Sequence, residues 1–476
     1  MTDPLSLLPL AVAAGGGTID EHETPQLVAA GFALLQRSAP LVRALSGRRA
    51  GILLPASSRF LVALAASEGR GAVLVNPLAA STEIAYQLAD AHVGAVFTTA
   101  ALAPRVPDGI VRVLLDEAPR SARVIANGGS AEVSLSTHGF RVAGEAGTAG
   151  RDEEAAVVYT SAMAGRPLGA VLSHRNLLAN ARSTVEAARL GPEDHALALL
   201  PFAHLFGLTV TANAPLLAGA SVTTMERFHP LRAIEALEQR DITIVVGVPA
   251  IYLAMLAALE RRDGRLQPRA LRLCICGGAP LAAEVQERWL AATGVDLRQG
   301  YGLTEGGPVC LFNRVDEPNR PGTLGVPFPG VEVEIHEPGT TRAVPDGAEG
   351  EIAVRGDNVF RGYVSGGEDG LQLRDGWLAT GDRGARGADG AVTFRGLIKP
   401  MFTRNGFNIY PREIERAIAA MPGVRAVRVR AIPEPSREHD IGVTVTGSVT
   451  EDEVRRWCEA RLSGYKQPSE VEIDGG

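Results

Sequence analysis

Between Tyr159 and Gly169 the chain reads Tyr-Thr-Ser-Ala-Met-Ala-Gly-Arg-Pro-Leu-Gly. Small side chains, hydroxyls and a glycine, set after an apolar strand and ahead of a helix expected near Ser173, can turn backbone N–H groups and hydroxyls toward a phosphate. Three further stretches with chemistry-bearing side chains follow in order. They are Gln299-Gly300-Tyr301-Gly302-Leu303-Thr304-Glu305, then Thr380-Gly381-Asp382 after Trp377, then Gly406-Phe407-Asn408-Ile409-Tyr410-Pro411-Arg412-Glu413-Ile414-Glu415. The cysteines point away from metal or redox chemistry. Cys274 and Cys276 alternate in an apolar run, as on one face of a buried strand, and no Cys-x-x-Cys pair or histidine cluster accompanies them or Cys310 and Cys458. Of the 47 basic residues only Lys399 and Lys466 are lysines, both in the last fifth of the chain.

Elements able to position these residues are legible in the apolar pattern. At 476 residues the chain is long enough for two or three domains, and a composition of 46% hydrophobic and 21% charged residues is that of a globular protein. The net charge of −7 weighs against a broad grip on nucleic acid. The apolar stretch Leu5 to Ala14 lacks a basic flank and is too short to cross a bilayer, so a cytoplasmic protein without a membrane partner is expected.

Apolar runs at Ala50–Pro55, Gly71–Asn76, Gly94–Thr99, Val157–Thr160, Ala196–Pro201, Ile242–Val248 and Leu271–Cys276 alternate with helical patterns at Thr82–Ala91, Asn176–Leu190, Pro230–Arg240 and Leu281–Ala292. That alternation predicts an α/β body built on parallel sheet covered on both faces. Short strands between Gly and Asp turns from Thr323 to about 396 predict a small β-rich subdomain. Beyond it, a helix near Pro411–Ala420, strands Ala426–Ile432 and Ile441–Thr446, and a helix Glu451–Leu462 predict a small α+β lid. The expected domains are therefore 1–398 and a shortened 399–476, with the boundary at Lys399–Pro400. The Gly-, Ala- and Ser-rich Ala126–Arg151 reads as a loose surface insertion.

The order and spacing of the four stretches resemble the adenylate-forming (AMP-binding) superfamily of acyl- and aryl-CoA synthetases, carrier-protein adenylation domains and luciferases. Gly71–Thr99, Ser173-His174-Arg175-Asn176-Leu177, Pro201-Phe202-Ala203-His204 and Cys276-Gly277-Gly278-Ala279-Pro280-Leu281 extend the resemblance over nearly the whole chain. It implies activation of a carboxylic acid by ATP to an acyl-AMP, then attack by a thiol to give a thioester.

Carried over residue by residue, the resemblance gives Thr160, Ser161, Gly165, Gly277, Gly278, Ala279, Tyr301, Thr304 and Asp382 to the nucleotide. Tyr301 would stack on adenine, Thr304 touch the α-phosphate and Asp382 accept the ribose hydroxyls. Glu305 would hold Mg²⁺, a hard cation that takes oxygen ligands. His204, Phe206, Val248, Gly278 and Gly302 would line the acyl pocket, the small residues leaving room for a flat acid. Gly406, Phe407 and Asn408 would flank the pantetheine channel. His204, Thr304 and Glu305 would be the catalytic set. The implied cofactors are Mg²⁺ and ATP or AMP where adenylation is retained, with CoA or phosphopantetheine as thiol acceptor. The implied partners are a small carboxylic acid or acyl thioester, and an acyl carrier protein where that is the acceptor.

The chain departs from the family pattern at the adenylation machinery. In the phosphate loop, Ala162 stands for a glycine, Met163 and Ala164 for two hydroxyl residues, and Leu168 for a lysine; Arg166 falls at a variable position. At the lid hinge, Leu397 stands for a ribose-binding arginine and Pro400, with φ fixed near −65°, for the pivot aspartate. The chain reaches Asp474-Gly475-Gly476 about where the family's C-terminal lysine loop would begin, and Lys466 belongs to an earlier Tyr-Lys-x-Pro segment. Three functions fit: an enzyme that forms or transfers acyl thioesters with adenylation impaired or absent; an ordinary ATP-dependent acid–CoA or acid–carrier-protein ligase; and a non-catalytic pseudoenzyme.

Overall fold

A computed structural model of the chain describes residues 8–67, 71–126, 128–136, 152–160, 167–262, 264–365, 373–398 and 401–474. Two large sheets form the body. In one, parallel strands Arg49–Ile52, Ala72–Leu74, Val93–Thr98, Val111–Leu114 and Glu154–Thr160 make the centre. In the other, parallel strands His195–Ala198, Ser221–Thr224, Ile244–Gly247, Leu273–Cys276 and Leu297–Gly302 do the same. Strands such as Ala72–Leu74, Val93–Thr98, Ile244–Gly247 and Leu273–Cys276 are near-continuously apolar and buried along their length, as parallel strands flanked by helices must be. The expected body is therefore found, with antiparallel strands added at the sheet edges.

The helix expected near Ser173 is found, as His174–Ala188 with Ser173 as its N-cap, but the segment just before it, Leu168–Ser173, is a strand paired antiparallel with Glu154–Thr160, which the sequence pattern did not show. The unbroken apolar run after Pro167 favours burial on both faces; residues 161–166 lie outside the described residues. The expected loose insertion is also partly ordered, because Gly129–Ser134 pairs with Ser121–Ala126. The rest of that insertion, from 137 to 151, lies outside the described residues, as do Ser161, Gly165, Lys399 and Pro400.

The antiparallel strands Val331–His336, Glu349–Gly356, Trp377–Arg386 and Val392–Leu397 form the small β sheet. The C-terminal unit has its own apolar core, including Ile414, Ile418, Ile441, Val443 and Val454. It is built from helices Pro411–Ala419 and Glu451–Glu459 on strands Val424–Glu434, Glu438–Gly447 and Glu470–Asp474. Among the described residues no helix is long and apolar enough to cross a membrane.

One buried ion cluster ties this lid to the body. Lys466 is 4% exposed, and its ammonium donates to Glu83 Oε1 of the body helix Ser81–Asp90 at 3.0 Å and to Glu413 Oε1 of the lid at 2.6 Å. Ser463 Oγ donates to the other Glu83 oxygen, and Ala80 N–H donates to Ser463 Oγ at 3.1 Å. Burial alone would depress the Lys466 pKa, but Tyr465 and the two carboxylates outweigh it and raise it, so Lys466 stays charged. Removing the cation leaves two carboxylates facing each other in a covered interface, a change worth about 3–5 kcal/mol against docking. Lys466→Met is expected to move the lid from docked to undocked populations in fluorescence transfer between body and lid labels. Adding Glu83→Gln and Glu413→Gln should restore docking.

Candidate active site

The candidate residues converge at the carboxyl ends of the second sheet's parallel strands. His204 and Phe206 follow His195–Ala198, Val248 follows Ile244–Gly247, Gly277 and Gly278 follow Leu273–Cys276, and Tyr301 and Gly302 end Leu297–Gly302. Parallel strands expose their loops at this edge, which is where α/β sheets hold ligands. Phe206 opens a π-helical segment, Phe206–Asn213. Its ring lies against Gly277, where a Cβ would sit 3.1 Å from Phe206 Cζ. Gly278 has φ +81° and faces Val248 and the Gly406 carbonyl, so it lies between body and lid. Ala279 continues this turn, half-buried. Gly302 has a different reason to be glycine: a Cβ there would come 1.8 Å from Pro308 O, so its small size admits the neighbouring backbone and does not enlarge the acid pocket.

The residues that the resemblance gives to the nucleotide are bonded to one another. Tyr301 OH donates to Asp382 Oδ2 at 2.7 Å, and burial, reinforced by the Asp382 charge, holds the phenol protonated well above its ordinary range. Glu305 Oε1 accepts from Tyr363 OH at 2.8 Å and from Thr160 Oγ1 at 3.3 Å, while Thr304 opens the turn Thr304–Gly306 that carries Glu305. Glu305 and Asp382 are 6% and 8% exposed, so neither is a solvated turn acid.

Tyr363 was not foreseen. Its position in the two-residue strand Gly362–Tyr363, paired to Ala170–Val171 far back in the sequence, has no local signature. Leu168, where the resemblance expects a lysine, is 3% exposed in the first sheet. Leu397, where it expects an arginine, pairs in register with Asp382 and supplies no charge there.

The lid closes over the acid side. Phe407 meets the His204 ring at 5.3 Å and stacks on Tyr465 at 4.2 Å, and Gly406 packs on Val248 so closely that a Cβ would lie 2.7 Å from its Cγ1. Asn408 is exposed on the same hairpin, Phe402–Arg404 with Phe407–Ile409. Phe407 and Asn408 thus share one hairpin, and Gly406 and Phe407 touch the body at Val248 and His204.

The residues fit Mg²⁺ carried by a nucleotide: Glu305 offers one carboxylate oxygen beyond its two hydrogen bonds, and this ion takes one or two carboxylates plus phosphate oxygens and water. Among the described residues no cluster of three or more His, Cys, Asp or Glu could hold a metal by itself. Cys274, Cys276 and Cys310 are buried, and burial pushes Cys274 and Cys310 up to about 12, so they are inert at neutral pH.

An α/β body and a smaller C-terminal unit packed on it bring acid, phenol and imidazole groups together at the strand ends. The family model described as AMP-binding enzyme matches residues 39–364. Feruloyl-CoA synthase of Amycolatopsis sp is 36% identical over 331 residues, 68% of this chain and 66% of its own length. The chain thus spans just under two thirds of that relative. 4-coumarate--CoA ligase 5 of Oryza sativa subsp. japonica is 30% identical over 440 residues, 87% of this chain and 79% of its own. A malonyl-CoA ligase structure with methylmalonyl-CoA and AMP bound superposes with a TM-score of 0.81 at 28% identity, covering 100% of this chain and 99% of that one. The chain belongs to the AMP-binding enzyme family.

His204 Nε2 is covered and has no hydrogen-bond partner among the described residues, and burial lowers the ring's pKa from 6.5 to about 4. The unfolded chain therefore binds a proton between these values that the folded protein refuses. Stability is complete above pH 6.5 and falls as pH drops toward 4, by up to about 3 kcal/mol from this residue. Histidine NMR titration should show two rings with midpoints near 4, those of His204 and the buried His174. His204→Asn should remove one of the two signals and make the acid limb of the unfolding free energy shallower.

Proposed function

We propose that the protein is a cytoplasmic acid–thiol ligase. It joins a small carboxylic acid, with aromatic acids favoured, to the thiol of CoA through an acyl-adenylate, and its thioester-forming half is better equipped than its adenylating half. The observation that carries the reading is the seating of Gly406 and Phe407 on Val248 and His204. A nucleophile arriving along the lid loop would meet the acid there, shielded from water. The names of the relatives, feruloyl-CoA synthase and 4-coumarate--CoA ligase 5, support an acid–CoA reaction and lean toward an aromatic acid.

Each residue then has a task. Gly277, Gly278 and Ala279 form the turn between nucleotide and acid, and Phe206, Val248 and neutral His204 wall the acid. Thr304 and Thr160 offer hydroxyls to phosphate, together with Ser161 and the Gly165 backbone. Asp382, oriented by Tyr301, accepts ribose hydroxyls, and Glu305, oriented by Tyr363, holds the nucleotide's Mg²⁺. Bound ATP·Mg²⁺ supplies the adenylyl group that activates the carboxylate.

The weaker half follows from missing charge. Ala162, Met163, Ala164, buried Leu168 and Leu397 offer neither hydroxyl nor cation where charge on the transferring phosphate must be neutralised. One such contact is commonly worth about 10²–10³ in rate. Thioester formation should be measured with a panel of acids plus ATP·Mg²⁺ and CoA, and with the matching synthetic acyl-adenylates plus CoA. The expected result is turnover from acyl-adenylate at least about 10²-fold faster than from free acid. Equal rates would refute the weakened first half; no thioester from either source would refute the ligase.

A further inference from the structure

Three left-handed backbone residues cluster where the lid meets the acid pocket: Asn405 at φ +52°, Gly406 at +75° and Glu438 at +65°. Glycine takes this conformation freely, but a glutamate does so only when its surroundings hold it there. Glu438 begins the strand Glu438–Gly447, at the end of the turn from Val424–Glu434, and its carboxylate reaches back to the neighbouring hairpin. Gly406 N–H donates to Glu438 Oε2 at 3.2 Å, while Asn405 N–H donates to the Arg437 carbonyl beside it at 3.2 Å. Glu438 Oε1 is shielded from solvent and has no hydrogen-bond partner among the described residues. Its charge lies close enough to Cys276, at the end of the strand leading into Gly277 and Gly278, to raise that thiol's pKa further.

A shielded carboxylate oxygen without a donor is costly, and the surrounding protein spends backbone strain to keep it there. A donor that arrives with substrate would satisfy it. The loop that Glu438 anchors is the one whose Gly406 touches Val248 and whose Phe407 touches His204.

We propose that Glu438 Oε1 is the general base of the second half-reaction, taking the proton of the incoming thiol as its sulfur attacks the activated carboxyl carbon. The inference rests on the ligase reading above. The balance is complete: the S–H bond breaks and its proton goes to Oε1, the new S–C bond forms, and the carbon–oxygen bond to AMP breaks with its electron pair leaving on phosphate. A carboxylate whose pKa is raised by burial is a better match to a thiol than an exposed one. The other titratable and charged groups around Glu438 are accounted for. His439 bonds the Thr403 carbonyl through Nδ1 at 3.1 Å. Arg437 and Arg404 both pair with Asp440, at 2.9 and 3.0 Å. Cys276 is a buried neutral thiol.

The test bypasses adenylation. Benzoyl-, cinnamoyl- and decanoyl-adenylate are given to the full chain with CoA, and thioester is followed against pH. Wild type should show activity rising with pH through the Glu438 ionisation. Glu438→Gln keeps the acceptor for Gly406 N–H but no longer takes a proton; it should lose about 10²–10⁴-fold in rate, together with that acid limb. Pentafluorothiophenol, a thiolate at neutral pH that needs no base, should recover most of the loss, which a merely structural role would not allow. Glu438→Gly, relieved of its strained φ, should melt no lower than wild type while losing the same rate. A Gln variant with the wild-type rate and profile overturns the proposal while leaving the ligase standing. Wild type that makes no thioester from any acyl-adenylate overturns the ligase reading and this inference with it.

Discussion

The geometry of the site depends on one ammonium held between two carboxylates. Lys466 joins Glu83 of the body to Glu413 of the lid in an interface closed to water, with Ser463 completing the second Glu83 oxygen. Such a buried triad contributes little net stability relative to a well-packed apolar contact, because desolvation of the charges offsets their attraction. Its consequence is register. Few other orientations of the lid could give that cation two partners, so the triad selects the orientation that seats Gly406 on Val248 and Phe407 on His204. The adjoining Tyr465 transmits the choice, since its ring stacks on Phe407.

The two sides of the pocket are built on different physics. The side proposed for the nucleotide consists of buried acids, each with one oxygen bonded by a phenol, Tyr301 on Asp382 and Tyr363 on Glu305. Each phenol fixes a carboxylate's direction. On the acid side, apolar and neutral surfaces dominate: Phe206, Val248, Phe407 and an imidazole kept uncharged by burial. Such a surface suits the body of an organic acid, and charge is confined to where phosphate or a departing proton would need it.

Much of this architecture was legible in the sequence because parallel strands advertise themselves. Runs such as Ile244–Gly247 and Leu273–Cys276 are apolar on both faces, a pattern that survives any choice of partner strand. The ordered motifs carried the family, and the alternating Cys274 and Cys276 carried their own burial. The sequence reading failed at Leu168–Ser173, where a short strand lay between a loop and a helix that looked continuous. Periodicity cannot distinguish a linking run from a pairing one when the run is only six residues long.

What composition and local pattern determined was therefore the type and order of elements, the residue kinds at their ends, and the poverty of cations in the phosphate loop. Tertiary structure alone decided which of those residues meet. Tyr363 reaches Glu305 across 58 positions, and Lys466 reaches Glu83 across 383. Nothing local encodes either bond, because each side chain would be an ordinary surface residue on its own element. Gly302 makes the same point in reverse: its smallness looked like room for a substrate, and only the packed chain shows Pro308 filling that space. Glu438 likewise reads as one more turn acid until folding shields one of its oxygens from solvent.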